Sequence, residues 1–109
     1  MTYVEIWTWS RPVADLTGFD VEATDGHIGK IDEATYDAGT SCLVVDTGWW
    51  IFGKKRMLPA GVVERVEPDA KKVFLACSKE QVKDAPDYEE ARRDESSYRD
   101  ELGDYWSRR

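Results

Sequence analysis

From Leu16 to Cys77 the apolar residues fall in short runs punctuated by turn formers, without the 3.6-residue recurrence of an amphipathic helix. Phe19-Asp20-Val21-Glu22-Ala23 alternates as a half-buried strand. Asp25-Gly26 after it signals a hairpin, because both central residues of a type I′ turn need positive φ. Ile28 to Tyr36 follows with an imperfect alternation, which a bulge or a strongly bent strand would produce. Beyond the turn Asp37-Ala38-Gly39-Thr40, Ser41 to Asp46 has the continuous apolar middle of a central strand. Met57-Leu58-Pro59 is a short strand that proline confines to an edge or a strand end. Val62 to Val66 needs a bulge to set its register, Glu67-Pro68-Asp69-Ala70 is a turn, and Lys72 to Cys77 is the last strand, with Val73, Leu75 and Cys77 on one face. Five or six short strands with no helix between them predict an antiparallel barrel or sandwich.

The pattern changes at Ser78. Ser78-Lys79-Glu80-Gln81 has capping-box spacing and predicts a helical turn that stops near Asp84-Ala85-Pro86. Asp87 and Glu90 repeat that spacing for a second helix, supported by the i,i+4 pairs Glu89 with Arg93, Glu95 with Arg99, and Asp104 with Arg108. Its apolar stripe is thin (Ala91, Tyr98, Leu102, Tyr105, Trp106), so this polar helix docks by that stripe or frays as a tail. At the other end, Tyr3, Glu5, Trp7 and Trp9 alternate with Val4, Ile6 and Thr8 in a strand-like aromatic arm, suited to packing on the barrel or bridging to another chain. The chain therefore divides into an N-terminal arm over residues 1–15, a β domain over 16–88 and a charged C-terminal helix or tail over 89–109.

Composition narrows the function classes. The 109 residues suit one domain with one modest core, and 41% hydrophobic with 34% charged residues is a folded-domain balance. A net charge of -7 sets the average surface against phosphate, making nucleic acid an unfavoured partner. Cys42 and Cys77 each sit in an apolar run and read as buried thiols, with a disulfide between neighbouring strands left open. No apolar run approaches the roughly 20 residues of a membrane span, and a reducing cytoplasm is the expected location.

Three stretches, "GFDVEATDGHIGKID" (Gly18 to Asp32), "LVVDTGWWIFGKKRMLPAG" (Leu43 to Gly61) and "SKEQVKDAPDYE" (Ser78 to Glu89), resemble the PRC-barrel family in the order of their motifs over about Leu16 to Glu89. The family includes the cytoplasmic domain of the photosynthetic reaction-centre H subunit and the C-terminal domain of the ribosome maturation factor. The resemblance implies a mainly β fold: a small, antiparallel, strongly bent six-stranded barrel with a short helical turn and a polar C-terminal helix. It also implies protein and ribonucleoprotein contacts rather than catalysis. Neither relative's partner domain is matched, so the expectation is a stand-alone bacterial member.

Candidate chemistry is sparse. Asp46-Thr47-Gly48 after an apolar lead-in carries the tripeptide of aspartic proteases, yet Trp49 is bulky where a shared-proton carboxylate pair needs a small neighbour. His27, the sole histidine, follows a turn and lacks nearby Cys or His ligands for zinc. Lys54-Lys55-Arg56 beside Trp49, Trp50 and Phe52 combines cations with rings, suited to RNA by phosphate contact and stacking, or to an acidic protein surface. The expectation is a non-catalytic, self-associating protein-interaction module without cofactor or metal, whose partner contacts come from Trp49, Trp50, Phe52, Lys54, Lys55, Arg56, Trp7, Trp9, Tyr98, Leu102 and Trp106. An RNA- or ribosome-associated assembly factor is the alternative.

Overall fold

The computed structural model describes residues 6–9, 15–36, 41–48 and 55–108. Six strands follow in chain order: β1 (Asp20–Ala23), β2 (Gly26–Ala34), β3 (Cys42–Asp46), β4 (Lys55–Pro59), β5 (Val63–Glu67) and β6 (Lys72–Leu75). Two helices come after them, α1 (Lys79–Asp84) and α2 (Ser96–Ser107), with 3-10 turns at Ala60–Val62 and Glu90–Arg92.

The strands form one sheet in the order β4-β3-β2-β1-β6-β5. β1 to β4 make an antiparallel meander and β5 pairs antiparallel with β6, but β6 runs parallel to β1, with Val21 opposite Val73. The expected antiparallel six-stranded barrel is thus corrected to an open, mixed sheet. Topology gives the reason. Consecutive strands β4 and β5 lie on opposite edges, about 24 Å apart if the sheet were flat. Only the turn Ala60–Val62 joins them, and four peptide steps span about 14 Å at most. The sheet must curl, yet no ladder joins β4 to β5. Pro59 has no N–H to offer, the Ala60 N–H donates to Ser41 O (3.1 Å), and Val62 O accepts from Ala76 N–H (2.9 Å).

Bulges explain the imperfect alternation of β2. Against β1, Gly29 faces Val21 and His27 faces Glu22, leaving Ile28 extra; against β3, Ile31 faces Val45 and Glu33 faces Val44, leaving Asp32 extra. Ile28 and Ile31, three apart, both reach the core by this device. Glu64 is the extra residue of β5, the bulge that strand's register required. The first hairpin turns one residue earlier than expected: Ala23 pairs with Gly26 around Thr24-Asp25. Lys71 is the one non-glycine residue with positive φ among those described, so a type I′ turn is not formed.

The capping box at α1 forms as read, with Gln81 N–H donating to Ser78 Oγ and Ser78 N–H to the Gln81 side chain. The second helix begins later, at Ser96, because the polar groups of the preceding segment are drawn elsewhere. Asp87 binds Arg56, Arg93 pairs with Glu33 of β2, and the Arg99 guanidinium donates to Arg93 O (2.8 Å) and lies over the Trp7 ring. Only Asp104 with Arg108 forms as an i,i+4 pair (2.9 Å) of the three expected, and Ala91 is exposed rather than part of the apolar stripe. Tyr98, Leu102 and Trp106 bury against the sheet, as do Ile6 and Trp7 from the N-terminal arm.

Two backbone positions generate predictions. A Cβ on Gly29 would lie 2.0 Å from Asp46 O, so Gly29→Ala should cost at least about 1–3 kcal/mol in urea unfolding. Lys71 sits at φ 53, and Lys71→Gly should gain about 0.5–1 kcal/mol in the same assay by relieving the left-handed strain.

Candidate functional site

Arg56 was expected to face a partner, and the structure places it inside. On β4, and only 4% exposed, it donates from Nε to Val82 O (3.1 Å), from one terminal nitrogen to Asp87 Oδ1 (2.8 Å), and from the other to Lys83 O (3.0 Å). The carbonyls belong to the last turn of α1, where the helix dipole favours a cation, and Val82 O accepts from Ala85 N–H (3.2 Å) as well. A planar fork serves all three acceptors at once, which an ammonium would not do. Lys55, one residue earlier, faces outward and pairs with Asp32 (2.7 Å), a hydrogen bond that holds its ammonium above the usual lysine range.

The aromatic candidates are mostly internal too. Trp7, Tyr98, Leu102 and Trp106 are all buried. The Tyr98 hydroxyl donates to Asp87 O (2.9 Å) and accepts from Glu89 N–H (3.1 Å), and burial pushes it above the ordinary tyrosine range. Trp9 is half-buried, donates from its indole to Thr35 O (2.8 Å) and stacks on Tyr36 at 6.0 Å. Tyr36, 44% exposed, is the large hydrophobic residue left most open among those described. Sequence reading passed over it because it closes a strand whose alternation had already broken down. Trp49, Trp50, Phe52 and Lys54 lie outside the described residues.

Groups capable of chemistry are dispersed. The Asp46 carboxylate accepts from Gly48 N–H (3.0 Å), a turn contact, and His27 Nδ1 faces Glu22 Oε2 (2.5 Å). A cleft of about 400 Å³ runs between His27–Lys30 and Asp46–Gly48, but these contacts turn the histidine and the aspartate to different partners. Cys42 and Cys77 are free and buried. Among the described residues no group of three or more His, Cys, Asp and Glu is placed to hold a metal, and no helix is long and apolar enough to cross a membrane. The outer face of α2 is chemically distinctive, carrying Asp100, Glu101 and Asp104 exposed, with Asp94 and Glu95 exposed just before it. Neighbouring cations are already engaged: Arg92 with Glu89 and Glu95, Arg99 with Asp94, and Arg108 with Asp104.

No protein-family model matches the chain. No curated protein matches it either. Among solved structures, the fold is similar to part of a 16S ribosomal RNA processing protein, RimM, from Pseudomonas aeruginosa, with a TM-score of 0.50 and 20% identity. The match covers 60% of this chain and 42% of that one, so the chain spans less than half the length of that protein. The similarity is one of fold.

Removing the Arg56 fork should be costly. Arg56→Lys is expected to lose about 2–3 kcal/mol in urea unfolding, whereas Asp87→Asn, at a half-exposed carboxylate, should lose under about 1 kcal/mol. The reverse order would make the ion pair, rather than the helix carbonyls, the main anchor. A second prediction concerns Cys77, whose thiol is pushed up to about 12, first by burial and then by the Asp25 charge, from an ordinary value of 9.0. The fold keeps the proton that the unfolded chain gives up. The stabilisation is therefore complete below pH 9 and is lost as pH rises toward 12. Thiol alkylation at about pH 8 should label Cys77 only as fast as the chain opens.

Proposed function

We propose that the chain is a non-catalytic protein-binding module serving ribonucleoprotein assembly, and that it contacts a basic protein of the particle rather than its RNA. The observation that carries this reading is the acidic outer face of α2, where Asp100 and Glu101 stand exposed beside Asp104, itself paired with Arg108, in a chain of net charge -7. Such a face attracts cationic protein segments and repels a phosphate backbone. Support for the particle comes from the fold similarity to a protein that processes 16S ribosomal RNA. Within this reading the protein works in the cytoplasm, where ribosomes are built.

The test is cosedimentation of the full chain with precursors of the small ribosomal subunit on density gradients. Binding should weaken with salt, and Asp100→Asn, Glu101→Gln and Asp104→Asn together should weaken it roughly tenfold, about 0.5 kcal/mol for each charge. Protein-free ribosomal RNA should not bind. Undiminished binding by the triple variant, or equal binding to naked RNA, would overturn the reading.

A further inference from the structure

Tyr36, just past the end of β2, reverses the usual posture of a surface tyrosine. Such a residue ordinarily buries its ring and turns its hydroxyl to water. Here the hydroxyl accepts from Leu16 N–H (3.2 Å) while the residue stays 44% exposed, so ring surface meets the solvent. Trp9 stacks beside it, with ring centroids 6.0 Å apart and planes 26° from parallel, and its indole N–H is fixed on Thr35 O (2.8 Å). Each ring thus has its polar atom tied to main chain, which sets the pair in place before anything binds. Asp15 adds a charge. It is bonded to Leu16, so its Cα lies within about 6 Å of the Tyr36 hydroxyl. Its exposed carboxylate accepts from Thr17 N–H (3.0 Å), and that bond holds it below the usual aspartate range. Arg93, which reaches β2 from the C-terminal segment, is taken by Glu33 and by the Tyr88 hydroxyl.

We propose that Trp9, Tyr36 and Asp15 form a docking site for an arginine side chain of a partner protein. An open ring face attracts cations, and guanidinium more than ammonium, because a planar ion also stacks. The carboxylate beside the ring supplies a countercharge, and the net charge of -7 draws basic segments toward the chain. Tyrosine, tryptophan and arginine are also the residues that carry most of the binding energy at protein interfaces. An apolar partner fits less well, since it would shield Asp15 from water without pairing it. A nucleic-acid base would stack on the rings but bring its phosphate toward Asp15. The site involves no residue of α2, so the inference stands apart from the ribonucleoprotein reading and fails separately from it.

The test is an NMR titration of the full chain with the blocked tripeptide Gly-Arg-Gly, beside Gly-Lys-Gly and Gly-citrulline-Gly. Saturable shifts should centre on the Trp9 indole and the Tyr36 amide. Binding should be about threefold weaker for lysine and about tenfold weaker for citrulline, which keeps the shape of arginine without its charge. Read at the Trp9 indole, Tyr36→Leu should weaken arginine binding about fivefold. Asp15→Asn, whose amide oxygen still accepts from Thr17 N–H, should weaken it about twofold and reduce its dependence on salt. The same shifts should survive in the chain carrying Asp100→Asn, Glu101→Gln and Asp104→Asn, which separates this site from α2. Four results would overturn the proposal: no saturable shift at Trp9 and Tyr36, a lysine or citrulline peptide binding as tightly as arginine, undiminished binding by both Tyr36→Leu and Asp15→Asn, or shifts that vanish with the α2 charges.

Discussion

One guanidinium couples the sheet to everything that follows it. Arg56 extends from an edge strand to the last carbonyls of α1 and onward to Asp87, and from Asp87 the Tyr98 hydroxyl carries the chain to α2. Burying a charge is costly unless its donors are met, and here three acceptors from two segments meet them. That condition fixes where α1 ends, where the exit segment runs and which face of α2 turns inward. The aromatic residues of α2 then complete the core rather than extend from it.

The positions of the strands were legible because period-2 alternation, Pro59 and the turn residues act locally. The capping box at Ser78 was legible for the same reason, its two partners being three residues apart. Failures occurred where a long-range partner outbid a local one. Arg93 and Arg99 each had an acid at helical spacing, yet the fold gave Arg93 to Glu33 and laid Arg99 over Trp7. Arg56 looked like part of a cationic hairpin because nothing in a sequence links it to carbonyls 26 and 27 positions away. Sheet closure was misjudged for a related reason. Strand content does not reveal whether the two edges pair, and here the turn between them gives its own hydrogen-bonding groups to the residue before β3 and the residue after β6.

Charge is distributed with a division of labour. Arginines near the C-terminal segment face inward or pair with acids beside them, while carboxylates of α2 face solvent. The same helix therefore closes the core with one face and gives the surface its sign with the other. Thin amphipathicity, which in sequence resembles a fraying tail, is sufficient when a few large rings supply most of the contact area.

The parallel contact between β1 and β6 also shapes the order in which the molecule can assemble. β2, β3 and β4 each join the preceding strand through a local connection, but β1 acquires its second neighbour only when residues about 50 positions later arrive. Closing that loop comes at an entropic cost before any reward, so it belongs late in folding. Until then one side of β1 is bare, and the Asp25 carboxylate beside it has yet to receive the Lys79 N–H that starts α1. A nascent chain made as far as Asp69 thus holds a sticky half-sheet, and the interval before β6 is synthesised is its period of greatest exposure to misassembly.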